Sequence, residues 1–167
     1  MVMKVITGDL LSVKRGVIAH QVNNCGLMNA GLAKQIRKAY PSHYTDYMRV
    51  YNAYMTQYGN LGSYKCYGHT AIPELLGQCV ITCIDPEFYI VGVFAQNGCG
   101  REPGVRYTDY GAMSVAFYKI HAQFSRWDVY IPAGIGGSLA GGDRSTIHHI
   151  IARHLPNATL IERGMVL

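Results

Sequence analysis

The chain has little charge, no long apolar run and no paired-cysteine motif, and each absence excludes a class of protein. Only 15% of its 167 residues are charged and 49% are hydrophobic, so we predict a buried core rather than a disordered chain. No apolar stretch approaches the roughly 20 residues that a membrane-spanning helix requires. We therefore expect one domain over residues 1–167 that does not enter a membrane.

The five cysteines are odd in number and show no C-x-x-C spacing. Because the segment from Met1 to Leu10 has no basic flank followed by a small-residue cleavage site, we predict no export signal, reduced thiols and a cytoplasmic location. His148, His149 and His154 are the best local set of metal ligands, but no further ligand lies beside them in the sequence. The sequence accordingly predicts no metal ion and no cofactor.

Two common nucleotide-binding motifs are also missing. The chain contains no G-x-x-x-x-G-K-[ST] sequence, and no G-x-G-x-x-G sequence joins its first predicted strand to its first predicted helix. These absences disfavour a Walker-type nucleotide hydrolase and a Rossmann dehydrogenase.

The net charge of +5 favours an anionic small ligand through long-range attraction. The longest basic cluster, Lys34, Arg37 and Lys38, falls on one predicted helix and is interpreted as a solvated helix face. Together with thirteen tyrosines, the charge leaves RNA binding as a minor alternative, which predicts an affinity that falls steeply with salt. Nucleic acid is therefore not the expected partner.

Hydrophobic periodicity predicts strands that alternate with helices along most of the chain. The predicted strands cover residues 2–6, 16–22, 63–67, 78–84, 89–94, 128–131 and 158–162. Pro41 is predicted to end the first helix, and Ser42, Thr108 and Asp143 to cap the later ones. With one hairpin at residues 79–94, this pattern predicts a mixed, mostly parallel sheet with helices on both faces. In such sheets ligands bind beyond the carboxyl ends of the strands.

Two further patterns predict buried side chains. Five tyrosines recur every three or four residues on the second predicted helix: Tyr44, Tyr47, Tyr51, Tyr54 and Tyr58. They favour a helix packed on the sheet with its hydroxyl groups at the rim, and a self-association or base-stacking face is the alternative. Cys79 and Cys83 fall on one side of a predicted strand and are interpreted as buried small hydrophobes.

Two strand-to-helix connections, residues 23–31 and 134–142, are unusually rich in glycine or turn-forming residues. Glycine lets the backbone approach a ligand closely, and backbone N–H groups beside a helix N-terminus can bind an anion. Two such loops could clasp a diphosphate from opposite sides. The alternative is a pair of tight turns, although a nine-residue loop with five glycines has a large ordering entropy and little packing to offset it.

Four motifs, in order along the whole chain, together resemble a macro domain: G-D-L at 8–10, A-H-Q-V-N at 19–23, G-L-M-N-A-G-L at 26–32 and I-P-A-G-I-G-G-S-L-A-G-G-D at 131–143. The R-Y-T-D sequence at 106–109 resembles the bacterial and phage-encoded branch grouped with ADP-ribose 1″-phosphate phosphatases. The resemblance implies a three-layer α/β/α sandwich that binds ADP-ribose.

The resemblance also assigns residues to the ligand. Asp9, between Gly8 and Leu10, would accept a hydrogen bond from the adenine amino group, and Asn23 would hold the distal ribose. The loops that would wrap the diphosphate and the distal ribose supply Gly26, Leu27, Met28, Gly31, Leu32, Gly134, Ile135, Gly136, Gly137, Ser138, Leu139, Ala140 and Gly141, with Gln96 beside them.

The candidate catalytic residues are Asn23, His20 and Asp143. Asn23 could orient the ribose and a water molecule. Asp143 could be a general base or only a helix cap, and His20 could shuttle a proton or be a core histidine. Relatives that remove ADP-ribose often carry a lysine nucleophile where this chain has Gln96 and Asn97, which disfavours a Schiff-base mechanism.

Other departures from the family pattern concern the loops. Residues 28–31 read M-N-A-G where relatives usually carry three glycines, which could narrow the pocket. Ala140 stands where some acyl-linked hydrolases have an aspartate. The sequence favours hydrolysis of ADP-ribose 1″-phosphate or a related ADP-ribosyl bond. A non-catalytic binder of ADP-ribose or of a cyclic NAD-derived nucleotide is the alternative.

Overall fold

The computed structural model describes residues 3–164, so Val2, the first residue of the first predicted strand, lies outside the described residues. A six-stranded sheet forms the centre, in the order β1 (Lys4–Thr7), β8 (Ala158–Glu162), β7 (Val129–Pro132), β2 (Gly16–Asn23), β6 (Phe88–Gln96) and β5 (Cys79–Asp85). All neighbouring strands are parallel except β5 and β6, which form the predicted hairpin. A separate two-stranded ribbon consists of β3 (Tyr64–Cys66) and β4 (His69–Ala71).

Helices cover both faces of the sheet. Residues of α1 (Gly31–Ala39) and α2 (Pro41–Tyr58) share one buried cluster with Ile18 and Val22 of β2. Residues of α3 (Tyr110–Phe124) and α4 (Arg144–His154) share the other with Val17 and Ala19, because successive strand side chains point to opposite faces. This confirms the predicted three-layer sandwich. Within residues 3–164, none of the helices combines the length and the hydropathy needed to span a bilayer.

The tyrosine row of α2 confirms the packing interpretation. Tyr47 and Tyr51 are buried, and Tyr44, Tyr54 and Tyr58 are half-buried against the same core. The Tyr47 ring stacks on a phenylalanine of β6 with 5.5 Å between centroids and 16° between planes. The row is therefore a helix-to-sheet contact rather than an open stacking face.

Two of the three predicted helix caps are wrong. Helix α2 begins at Pro41 rather than after Ser42, because a fixed φ and a missing N–H suit proline to the first helical position. Asp109, not its neighbour Thr108, caps α3, and Thr108 is buried. Asp143 caps α4 as predicted.

The prediction that Cys79 and Cys83 are both buried is wrong for Cys83. Cys79 is half-buried, and its Sγ lies 3.6 Å from a backbone oxygen of α3. Cys83 is exposed on the edge strand β5, beside the irregularity where the register with β6 shifts.

Candidate functional site

The two loops singled out in the sequence leave from neighbouring strands at one edge of the sheet. Strands β7 and β2 are adjacent and parallel. The helices that follow them pack on opposite faces, α4 after β7 and α1 after β2. Connections that diverge from adjacent parallel strands leave a crevice at the carboxyl ends, which is the usual ligand site in such sheets.

Three glycines of the second loop are required by the packing of the loop itself. Gly136 has a φ of +70°, and an added Cβ would lie 3.0 to 3.1 Å from three side-chain atoms. An added Cβ at Gly141 would collide with the backbone oxygen of Val105, and one at Gly142 with that of Gly136. The tight-turn alternative therefore accounts for these three positions. Gly134 differs, because it is exposed and an added Cβ would have no atom within 4 Å.

The rest of the second loop has buried residues at both ends and exposed residues between them. Ile135 and Ala140 are buried, while Ser138 and Leu139 are exposed. Ser138 adopts a φ of +51°, a left-handed conformation that is uncommon outside glycine. The backbone oxygen of Ala140 accepts hydrogen bonds from two residues of the β6–α3 connection, at 2.8 and 3.1 Å. The loop is therefore anchored at its buried residues and presents its tip to solvent, with Gly137 half-buried between them.

Asn23 shapes the first loop. Its Oδ1 accepts a hydrogen bond from the backbone N–H of Cys25 at 3.0 Å, and its Nδ2 donates to the backbone oxygen of Leu27 at 2.9 Å. The Tyr47 hydroxyl lies 2.8 Å from the backbone oxygen of Asn23 and 2.9 Å from its Oδ1, and accepts from the Leu27 N–H at 3.0 Å. Burial raises the pKa of Tyr47, which keeps this hydroxyl protonated. One Nδ2 hydrogen of Asn23 remains to bind a ligand.

Helix α1 begins at the end of this loop with a free N-terminus. Ala30 precedes the helix and offers no side-chain cap, whereas α3 and α4 each begin with a capping aspartate. Gly31 is exposed, has a φ of +55°, and has no atom within 4 Å of an added Cβ. The backbone N–H groups of residues 31–33 make no hydrogen bond within residues 3–164, so an anion can accept hydrogen bonds from this first turn.

The remaining residues predicted in the first loop support its shape. Gly26 has a φ of +77°, and an added Cβ would lie 2.8 Å from the Tyr51 ring. Met28 is buried, whereas Leu27 and Leu32 are half-buried. Gly26 and Met28 therefore serve the packing of the loop, and Gly31 is its open glycine.

Asp9 lies at the same edge of the sheet, beyond β1. The backbone N–H of Gly8 donates to the backbone oxygen of Glu162, at the end of β8, at 2.9 Å. Asp9 is exposed, and its Oδ1 accepts from the backbone N–H of Leu11 at 3.0 Å, which caps a short turn around the buried Leu10. The second carboxylate oxygen of Asp9 makes no hydrogen bond to residues 3–164, so it can accept one from a ligand.

Asp143 is held as a helix cap. Its Oδ2 accepts from the backbone N–H of Thr146 at 2.8 Å and from the Thr146 hydroxyl at 2.7 Å. These two hydrogen bonds lower the pKa of Asp143, which makes it a weaker base near neutral pH. The environment therefore fits the capping role better than the general-base role.

His20 is buried on the face of the sheet covered by α2. Its Nε2 lies 2.8 Å from Nε2 of His43, and Nδ1 of His43 lies 2.8 Å from the Thr82 hydroxyl. Burial lowers the pKa of both histidines, that of His43 to about 4. This environment fits the core-histidine alternative, because a buried ring paired with another ring does not meet a ligand in the crevice.

Asn24, which the sequence argument did not single out, joins two segments beside the crevice. It is fully buried, and its Nδ2 donates to Oδ1 of Asn97 at 3.1 Å. Its Oδ1 accepts from the backbone N–H of Gly98 at 2.9 Å. Gln96, which was predicted to lie beside the ligand loops, is half-buried and donates to the backbone oxygen of Gly98 at 3.1 Å.

Thr108 joins the β6–α3 connection to the second loop. Its hydroxyl donates to the backbone oxygen of Gly136 at 2.7 Å and accepts from Nε2 of Gln21 at 3.0 Å. In the sequence, Thr108 is followed directly by an aspartate, and only one of the two can cap α3. The residue that does not cap the helix is free to make a tertiary contact. The three segments that follow β2, β6 and β7 are thus tied together by buried polar side chains.

Three cysteines outside any recognised spacing converge next to Asn24. The Sγ atoms of Cys25, Cys66 and Cys99 all lie within 4.8 Å of one another. Burial raises the pKa of the Cys25 thiol, and the two neighbouring thiols raise it further. These cysteines come from different elements, so no local motif could have revealed them.

His148, His149 and His154 form no comparable group in the described part of the chain. Nε2 of His148 lies 2.8 Å from the backbone oxygen of Ala133. His149 and His154 line an open groove of about 560 Å³ between α3 and α4.

Comparison with known proteins gives the fold its name. No protein-family model matches the chain, and no curated protein is significantly similar to it. A protein of unknown function from Bacteroides thetaiotaomicron matches 98% of this chain over 99% of its own, at 19% identity and a TM-score of 0.74. The macrodomain of Mycobacterium tuberculosis DarG matches 98% of the chain over 99% of its own, at 16% identity and a TM-score of 0.67.

A third structure, Thermosipho africanus DarTG in complex with ADP-ribose, matches 96% of this chain over 41% of its own, at 14% identity and a TM-score of 0.65. The fold is that of a macro domain, which confirms the resemblance seen in the sequence. The phosphatase-like branch stays a prediction.

Proposed function

We propose that the chain binds ADP-ribose in the crevice at the carboxyl ends of β2 and β7. The observation that carries this proposal is the pairing of an uncapped helix N-terminus at Gly31 with an open glycine, Gly134, on the adjacent loop. A diphosphate can accept hydrogen bonds from the free N–H groups of α1 while the Gly134 backbone approaches from the other side. The ADP-ribose complex of the Thermosipho africanus protein supports this ligand.

The ends of the ligand have candidate partners on the same edge of the sheet. The free carboxylate oxygen of Asp9 would accept a hydrogen bond from the adenine amino group. The remaining Nδ2 hydrogen of Asn23 would donate to an oxygen of the distal ribose. Both partners keep their side-chain conformation through hydrogen bonds within the protein, so little conformational entropy is lost on binding.

Hydrolysis of ADP-ribose 1″-phosphate, or of a related ADP-ribosyl bond, is the enzymatic form of this proposal. Asn23 would position the distal ribose that carries the reacting bond, and the N–H groups of α1 would hold the diphosphate and so fix the ligand in place. Because Asp143 is held as a cap and His20 is buried, neither of the two candidate bases is placed to act in the crevice. We therefore expect slow turnover at most, and retention of ADP-ribose or a cyclic NAD-derived nucleotide is the alternative.

Calorimetry with ADP-ribose, ADP and cyclic ADP-ribose tests binding, and release of phosphate from ADP-ribose 1″-phosphate tests catalysis. We expect ADP-ribose to bind more tightly than ADP, because only ADP-ribose carries the distal ribose. If the chain binds ADP-ribose but releases no more phosphate from ADP-ribose 1″-phosphate than Asn23→Ala does, the phosphatase activity is excluded and the binding function stands. No binding of any of the three nucleotides would overturn both.

Asp9→Asn separates adenine recognition from loop structure. The asparagine Oδ1 can still accept from the Leu11 N–H, but the second position becomes an NH₂ donor that repels the adenine amino group. We expect ADP-ribose affinity to fall by about 10- to 100-fold, as for loss of one hydrogen bond to a charged group. We also expect the preference for ADP-ribose over its hypoxanthine analogue to reverse in calorimetry, because the asparagine NH₂ can donate to the 6-oxygen of hypoxanthine. An unchanged preference would show that Asp9 does not contact the base.

A further inference from the structure

We propose that Cys25, Cys66 and Cys99 form a three-thiolate binding site for one thiophilic metal ion, Zn²⁺ or Cu(I). The three Sγ atoms lie within 4.8 Å of one another, and those of Cys66 and Cys99 are 3.5 Å apart. Tetrahedral zinc with Zn–S bonds of about 2.3 Å holds its sulfur ligands about 3.8 Å apart. Adjustments of about 1 Å or less therefore bring all three sulfurs to coordination distance.

The surroundings of the sulfurs are those of a built site. The backbone N–H of Cys99 donates to Sγ of Cys66 at 3.2 Å, an arrangement that stabilises a thiolate. Gly98 has a φ of +91°, and an added Cβ there would lie 3.3 Å from Sγ of Cys66, so glycine keeps this backbone against the sulfur. Sγ of Cys25 donates to Oδ1 of the buried Asn24 at 3.6 Å, a hydrogen bond that a coordinated metal ion would replace.

The ligand chemistry selects the metal. The group contains only sulfur donors, with no carboxylate or imidazole, which suits soft ions and excludes Mg²⁺ and Ca²⁺. Each thiol loses its proton on coordination, so binding one ion releases up to three protons to the buffer. Water or a small ligand would complete a tetrahedral zinc site, whereas Cu(I) is satisfied by three thiolates.

The position of the cluster gives the metal a structural consequence. Cys25 follows β2, Cys66 ends β3, and Cys99 lies in the β6–α3 connection. One ion would therefore join the segment after Asn23 to the small ribbon and to the connection that carries Asn97. We expect metal to raise the unfolding temperature of the reduced protein.

The test is metal uptake by the reduced full chain under anaerobic conditions. One equivalent of Co²⁺ should give thiolate-to-cobalt charge-transfer and tetrahedral absorption bands, which Zn²⁺ then removes. Competition with a chromophoric chelator for Zn²⁺, and separately for Cu(I), shows which ion binds more tightly. Proton release measured in weak buffer gives a second readout.

Cys66→Ser and Cys99→Ser are the variants that test coordination by the thiols. Both side chains are only half-buried, so their replacement should leave the fold intact. We expect each to lower metal affinity by more than the roughly 10- to 100-fold that loss of an outer hydrogen-bond partner costs. The matched controls are Cys79→Ser, also half-buried, and Cys83→Ser, which is exposed; both should take up one ion as the unaltered chain does.

Three outcomes would overturn the proposal. The first is no metal uptake by the reduced chain, and the second is uptake that Cys66→Ser and Cys99→Ser both retain. The third is a Cys66–Cys99 disulfide, seen as the loss of two hydrogens by mass spectrometry in air, with no metal uptake after reduction. Because the readout is metal binding, failure here would leave the ADP-ribose proposal standing.

Discussion

Replacing Gly134 by glutamate is expected to lower the affinity for ADP-ribose by about 100-fold or more while the fold is retained. Gly134 is exposed and has no atom within 4 Å of an added Cβ, so the new side chain meets no protein atoms at its base. It would place a carboxylate where the proposed diphosphate binds, and like charges brought together in an interface cost several kcal/mol. Calorimetry with ADP-ribose measures the loss, and thermal unfolding checks the fold.

Two control variants make this result specific. Tyr118→Glu adds the same charge at an exposed position of α3 and should leave ADP-ribose affinity unchanged. Gly136→Glu places the same side chain two residues further along the loop, but there it meets packed atoms in a left-handed backbone and should lower the unfolding temperature. Full ADP-ribose affinity in Gly134→Glu would show that the diphosphate does not lie beside this loop.

The layers of the fold were predictable because each is encoded by a local pattern. Val17, Ile18 and Ala19 alternate between the two cores, which is a property of any strand buried on both faces. The tyrosines of α2 lie on one face because their spacing matches the helical repeat. Asp143 caps α4 because a short acceptor at that position satisfies a free N–H of the first turn.

The site was predictable only where backbone conformation is the signal. Gly31 and Gly134 could be proposed from the glycine-rich loops and the macro domain resemblance. The sequence could not distinguish them from Gly136 or Gly142, whose missing side chains are required by packing between residues far apart in the chain. Thr108 was predicted to cap α3, but aspartate is the stronger N-cap residue, and the Thr108 hydroxyl instead donates to the backbone oxygen of Gly136.

Contacts between side chains from different elements were out of reach of the sequence. Asn24 meets Asn97, and Cys25 meets Cys66 and Cys99, only after β2, β3 and β6 have been placed. Neither group has a fixed spacing that a motif could describe. The pairing of His20 with His43 in the core is a third contact of this kind.

Acid is expected to destabilise the fold through this histidine pair. Asp46 accepts a hydrogen bond from the Thr82 hydroxyl, which must then accept from Nδ1 of His43, so that Nε2 of His43 accepts from Nε2 of His20. Nδ1 of His20 is buried with no partner among residues 3–164. Two neutral rings supply the hydrogen bonds that join His20, His43 and Thr82, and one further proton on the pair would leave an N–H at Nδ1 of His20 buried without a partner.

Since burial lowers the pKa of both rings below that of an unfolded histidine, the unfolded chain binds more protons as the pH falls below about 6.5. Their contribution to stability is complete above that pH and is lost toward pH 4, with the charge of Asp46 opposing part of the shift in His43. For His43 alone, a pKa of about 4 corresponds to a loss of about 2 kcal/mol between pH 8 and pH 5.

Urea unfolding at pH 8 and pH 5 measures this loss for the unaltered chain, His43→Gln and His20→Gln. Each glutamine variant loses packing at both pH values, so the quantity compared is the difference between the two unfolding free energies of the same protein. We expect this difference to be smaller by about 2 kcal/mol in His43→Gln and to fall also in His20→Gln, because glutamine does not titrate. If both variants kept the full difference, the acid sensitivity would arise outside the core pair, and the two rings would not be held neutral by burial.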